Sequence, residues 1–159
     1  MPQNVLIVCV GNICRSPIAE AVMRDMITRA GLQADWHVES AAIEGWHCGS
    51  RPDERALRVL AGHNIECSSV ARQLQPEDFR RFDYILAMDR SNVASLRHLA
   101  PKGGRAKLLM LWDFGLKPDE RSIEDPYYLM GMAPLEKIYE QCTIACENFL
   151  KQAQLIEIW

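Results

Sequence analysis

At 159 residues and 48% hydrophobic content, the chain suits one domain, residues 1–159, with a substantial core and no room for a second. A net charge of −3, with no basic run longer than Arg80-Arg81, excludes nucleic acid as the main partner, and the lack of any stretch of about 18 apolar residues excludes membrane insertion. With no charged segment and apolar signal core at the N-terminus, the six cysteines read as reduced thiols and the expected location is cytoplasmic.

The apolar run from Asn4 to Val10 predicts a buried strand, and Ser16 followed by Pro17 predicts an N-cap with proline at the first helical position. The loop between them, Cys9 to Ser16, then lies at a helix N-terminus. Unpaired amides and the positive end of the helix dipole make an anion site there without a metal. Gly11 lets the backbone approach a ligand closely, and Asn12 tolerates the left-handed conformation such a loop needs. Val10, Gly11, Asn12, Ile13, Cys14, Arg15 and Ser16 thus form the expected anion cradle. Arg15 offers a planar charged fork for two oxygens of a tetrahedral anion, and Cys9 stands in a field that favours its thiolate. The pattern G-x-x-x-x-G-K-[ST] is absent, so nucleotide hydrolysis is not expected.

Further along, Ile18, Ala19, Val22, Met23, Met26, Ile27 and Ala30 recur at helical spacing until Gly31 stops the helix. Trp36 to Ala42 reads as a second strand and Pro52 to His63 as a second helix. Tyr84 to Met88 reads as a third strand, Ser91 to Leu99 as a helix closed by Pro101, and Ala106 to Trp112 as a fourth strand. Leu135, Ile138, Tyr139, Cys142, Cys146, Phe149 and Ala153 form one stripe of a last helix, ahead of an apolar tail, Leu155 to Trp159, expected to dock on the domain's own surface. Alternating strands and helices give an α/β class. Between Asp113 and Pro134 about 20 residues carry no period, and a structureless stretch that long is usually functional. Cys142 and Cys146 are one helical turn apart with no further ligand nearby in sequence, so no metal is expected.

The stretch C-V-G-N-I-C-R-S-P (Cys9 to Pro17) resembles the hallmark of the low-molecular-weight protein tyrosine phosphatases, and the chain is identified as a member of that family, of bacterial type. The resemblance continues in Glu39 to Gly49, Ala71 to Gln73, Phe82 to Asn92 and Glu124 to Tyr128. It implies a phosphatase fold of four parallel strands in the order 2-1-3-4 with helices on both faces. It implies hydrolysis of phosphotyrosine, without a cofactor, in tyrosine-phosphorylated proteins such as an autophosphorylated tyrosine kinase. A phosphate ester needs its leaving oxygen protonated, and the resemblance gives that role to Asp125. Cys9 would attack phosphorus while Arg15 and the loop amides hold the oxygens. Asn12 and Ser40 match positions that brace the loop, with Ser16 donating to the Cys9 sulfur. Trp46, Tyr127 and Tyr128 match the aromatic walls of the cleft. Ser69 stands where many relatives have histidine, so a hydroxyl is expected to replace an imidazole in part.

Two other readings fit the loop. An arsenate reductase would need further cysteines, and Met88 to Ala100 holds none. A noncatalytic phosphopeptide-binding module would keep Arg15 without needing Cys9 and Asp125 together. Cys14, five residues from the nucleophile, is the expected redox partner of Cys9, able to capture its sulfenic acid as a disulfide.

Overall fold

The computed structural model describes residues 2–116 and 130–158. Four strands, β1 (Gln3–Cys9), β2 (Trp36–Ala42), β3 (Tyr84–Ala87) and β4 (Lys107–Met110), form one parallel sheet in the order β2-β1-β3-β4, as the resemblance implied. The registers Cys9 to Ala42 and Val8 to Ala87 bring the C-terminal ends of β2, β1 and β3 together.

β1 is apolar along its length because both its faces are covered. Val5, Ile7 and Cys9 point to one layer, with helices α1 (Arg15–Arg29), α2 (Glu54–Gly62) and α5 (Ala133–Ile158). Leu6 and Val8 point to the other, against Phe79, Phe82 and Leu96 of the short α3 (Asp78–Arg81), the residue after it, and α4 (Arg90–Leu99). Behind α1 the first layer holds an aromatic cluster in which Phe149 of α5 meets Trp36, Tyr84 and Phe114 edge-on.

Several elements differ from expectation for local reasons. The helix after the loop begins at Arg15 with Cys14 as N-cap, so Ser16 lies inside the first turn and is not the cap. Pro17 is still tolerated there, because amides of the first turn have no intrahelical acceptor to lose. The fourth strand stops at Met110 because its partner ends at Ala87, and a 3₁₀ turn (Leu111–Asp113) follows. Leu111 and Trp112 of that turn are both fully buried and belong to the first layer of the core. One turn of helix, α3, has no legible period. It is organised by Asp78, whose carboxylate accepts from the Gln75 amide at 2.7 Å and from Arg72 at 3.0 Å. At the other end of the chain, α5 runs on through the apolar tail to Ile158.

Candidate active site

The strand order reverses between β1 and β3, and the loop after β1 lies at that switch point, where open α/β sheets bind ligands. Asn12 sits at φ 58°, the left-handed conformation that lets the chain curl, and Asn pays little for it. Carbonyls of the loop are used elsewhere: Cys9, Val10 and Ile13 accept from the amides of Ile43 (3.0 Å), Glu44 (3.0 Å) and Asp53 (2.7 Å). With its oxygens turned out to those segments, the loop has its N–H groups left for the interior. Gly11 is needed for close approach, since a Cβ there would stand 3.0 Å from the His47 ring.

Two hydrogen bonds converge on the Cys9 sulfur. Ser16 Oγ lies 2.9 Å from it, and the Asn12 amide donates to it at 3.3 Å. From Ser16 a buried chain of hydrogen bonds runs inward. Asn12 Nδ2 donates to Ser16 Oγ at 2.8 Å and to Ser40 Oγ at 2.9 Å, and Ser40 in turn donates to the buried Glu20. Glu20 is anchored by Arg24 at 2.8 Å. On the other side the Arg72 amide donates to Asn12 Oδ1 at 3.2 Å. The segment Ala71 to Gln73 is laced onto the end of β2 through Ala42, so this amide is fixed by the sheet itself. The Ser69 hydroxyl lies 3.8 Å from Cys67 Sγ.

Arg15 is buried to 1% exposure, and its Nη1 donates to Asp89 Oδ2 at 2.8 Å. Asp89 follows β3 and caps α4 by accepting from the Asn92 amide. Burial pushes the Asp89 carboxyl up, but hydrogen bonds from Arg15, Asn92 and Ser91 outweigh it and hold the group below its usual range. The pair thus spans the switch point from the end of β1 to the end of β3. Sequence reasoning missed Asp89 as well as Glu20. Asp89 had a signal, a carboxylate in D-R-S-N directly after a buried strand expected beside the first; Glu20, one polar residue in an apolar helix face, had none that spacing alone reveals.

Cys14 Sγ lies 3.7 Å from Asp53 Oδ2, the N-cap side chain of α2. Burial raises the Asp53 carboxyl, and hydrogen bonds and charge from Arg55, with a smaller one from Cys14, bring it below its ordinary value. All six cysteines are free thiols. Cys142 and Cys146 are wholly buried under the loop layer, and burial first, then each other's proximity for Cys142, pushes that thiol far above its ordinary value. Cys146 is likewise raised by burial, and its Sγ faces the Ala19 carbonyl at 3.7 Å. Val10 and Ile13 are half-buried on the loop, and Trp46 is 69% exposed on the turn whose His47 leans on Gly11. Asp125, Tyr127 and Tyr128 lie outside the described residues.

A loop whose carbonyls are used elsewhere, a buried guanidinium and a sulfur met by two hydrogen bonds is an arrangement for holding a tetrahedral oxyanion against a nucleophile. Comparison with known proteins gives the same direction. The family model "Low molecular weight phosphotyrosine protein phosphatase" matches residues 4–156. A Drosophila melanogaster protein, low molecular weight phosphotyrosine protein phosphatase 2, is 70% identical over 156 residues, covering 98% of this chain and 95% of that protein. The crystal structure of Primo-1 superposes with a TM-score of 0.91 at 51% identity, over 94% of this chain and 97% of that one. That of DARP, a Drosophila arginine phosphatase, does so with a TM-score of 0.90 at 36% identity, over 94% and 96%. The 70% relative is an insect protein, so the bacterial type expected from the sequence has no support.

Proposed function

The chain belongs to the low-molecular-weight phosphotyrosine protein phosphatase family and is a protein-tyrosine phosphatase; we propose that it works through a phosphocysteine on Cys9. The observation that carries this reading is the convergence of the Ser16 hydroxyl and the Asn12 amide on Cys9 Sγ, inside a loop whose arginine is buried. Two donors and a helix N-terminus suit an anionic sulfur. In the first step the thiolate attacks phosphorus in line with the leaving oxygen, while Arg15 and the amides of Val10 to Ser16 neutralise the equatorial oxygens. Asp125 gives its proton to the leaving phenolate oxygen. In the second, Asp125 as carboxylate takes a proton from water as that water attacks the phosphocysteine, and phosphate leaves with the thiolate restored.

The bracing chain from Ser16 through Asn12 and Ser40 to Glu20 holds the loop in its curled form, so little reorganisation accompanies charge development. Trp46, Tyr127 and Tyr128 would flank the phenyl ring. Substrates are tyrosine-phosphorylated proteins, an autophosphorylated kinase among them. A reducing cytoplasm is the compartment that suits a thiol nucleophile with free cysteines around it. Among the described residues, no helix is long and apolar enough to cross a membrane.

Turnover of phenyl phosphate and of a phosphotyrosine peptide tests the reading, with a phosphoarginine peptide as the contrast drawn from the arginine phosphatase neighbour. Wild type is expected to hydrolyse the first two in preference to the third. Cys9→Ser should still bind phosphate and turn over nothing measurable, because a hydroxyl with no adjacent base is not a competent nucleophile. Retained turnover in that variant overturns the covalent route.

A further inference from the structure

Positive charge is segregated in this acidic chain. Between Arg90 and Trp112 fall five of the 18 Lys and Arg residues and none of the 21 Asp and Glu. Arg105 is committed to Asp83 at 3.0 Å, and Lys107 lies over the Tyr84 ring. Arg90, Arg97 and Lys102 are exposed and make no ion pair with the described residues.

Arg90 and Arg97 line one groove of about 440 Å³ between α4 and β4. They are two helical turns apart on one face of α4, about 10 Å along its axis, which an extended peptide spans in roughly three residues. Val93, Leu108 and Met110 give the groove an apolar floor, and among the described residues Asp113 is the one carboxylate on its lining. Its position matters as much as its charge. Arg90 follows directly on Asp89, which holds Arg15, and Met110 ends β4 at the same end of the sheet as Cys9. The groove therefore starts beside the reaction centre and runs away from it toward Arg97. Among the described residues β4 pairs with β3 alone, so its outer edge offers main-chain partners that a peptide can use.

We infer that this α4–β4 groove is a docking subsite for the polypeptide flanking the phosphotyrosine, selecting segments in which acidic residues about three apart alternate with apolar ones. The inference rests on the phosphotyrosine reading of the Cys9 site and names its preferred substrate class. Each exposed arginine–carboxylate contact is a weak, salt-screened interaction, so two of them give a modest preference, about threefold to tenfold at low salt.

The test uses the intact protein and phosphotyrosine peptides of equal length, with glutamates on one flank, on the other, or serines on both. Wild type should favour one acidic peptide over the serine peptide in kcat/KM by about threefold to tenfold, the ratio shrinking as salt is raised. Arg97→Glu, an exposed helical position remote from the loop, should bring that ratio to about one or below while leaving phenyl phosphate turnover unchanged. Because the ratio is taken within one protein, a general loss of activity cancels. Lys102→Glu makes the same charge change outside the groove and should keep most of the preference. No discrimination by wild type, full discrimination by Arg97→Glu, or equal loss in Lys102→Glu each overturns the groove. Association with phosphatidylserine vesicles that Arg97→Glu abolishes, without peptide discrimination, assigns the patch to a lipid surface and overturns it too. Peptide affinities by fluorescence anisotropy read the groove without turnover, so a protein inactive on phenyl phosphate would refute the phosphatase reading while the groove is still measured.

Discussion

Burying the Arg15 guanidinium at 1% exposure carries a desolvation cost, and Asp89 at 2.8 Å offsets it while aiming the fork into the loop. The carboxylate also caps α4, so one side chain sets both the clamp and the start of the next helix. Asp89→Asn keeps the shape and removes the charge, leaving a buried cation without its counter-charge. We expect a loss of about 1–3 kcal/mol at neutral pH, less than deleting the partner outright because the amide can still accept one hydrogen bond. The sign with pH follows from the depressed carboxyl. Its contribution is present above the ordinary value of 3.8 and is lost as pH falls through the lower folded value, so wild type and variant should converge below about pH 4. Urea unfolding of both proteins across that range measures it, and a pH-independent gap would assign the loss to the cap alone.

At the scale of elements, two helix N-termini are tied together: Cys14 stands at the N-cap position of α1, Asp53 caps α2, and Cys14 Sγ lies 3.7 Å from the Asp53 carboxylate. For Cys14 to serve as the redox partner of Cys9, its sulfur turns from Asp53 toward Cys9. Peroxide converts the Cys9 thiolate to a sulfenic acid with loss of hydroxide, and attack by the Cys14 sulfur forms the S–S bond and releases water. We expect reversible inactivation by peroxide with recovery in dithiothreitol, and in Cys14→Ser a much smaller recovery relative to that variant's own starting activity. Mass spectrometry that finds no Cys9–Cys14 crosslink, with full recovery in the variant, would reduce Cys14 to a packing group.

For the molecule as a whole, the fold gathers chemistry from distant parts of the chain at one end of one sheet. Cys9 ends β1 and Arg15 opens α1, Ser40 lies in β2, Arg72 is laced to β2's end and Asp89 follows β3. The proposed acid, Asp125, comes from the long segment between β4 and α5. Asp125→Asn should lower turnover of phenyl phosphates by roughly a hundredfold, the scale of a lost general acid, and less for leaving groups that need no proton. Equal losses across a series of leaving-group pKa values would leave Asp125 with a purely shaping role.

The sequence by itself determined the class of the fold, the loop and its two reactive side chains. A fully apolar strand, a loop with Gly and Asn, and a helix opening at its end are local features, written in consecutive residues and read by period and turn chemistry. Boundaries were less legible where tertiary contacts overrode them: Ser16 gave up the cap to bond the Cys9 sulfur, and Leu111 and Trp112 left the strand to fill the core. Only the tertiary structure decided which carboxylate meets Arg15, that Glu20 ends the bracing chain, that the Arg72 amide holds Asn12, and that Arg90 and Arg97 face one groove. Those are pairings between residues far apart in the chain, and nothing in the spacing of either partner encodes the other; the strand order and crossovers place them together.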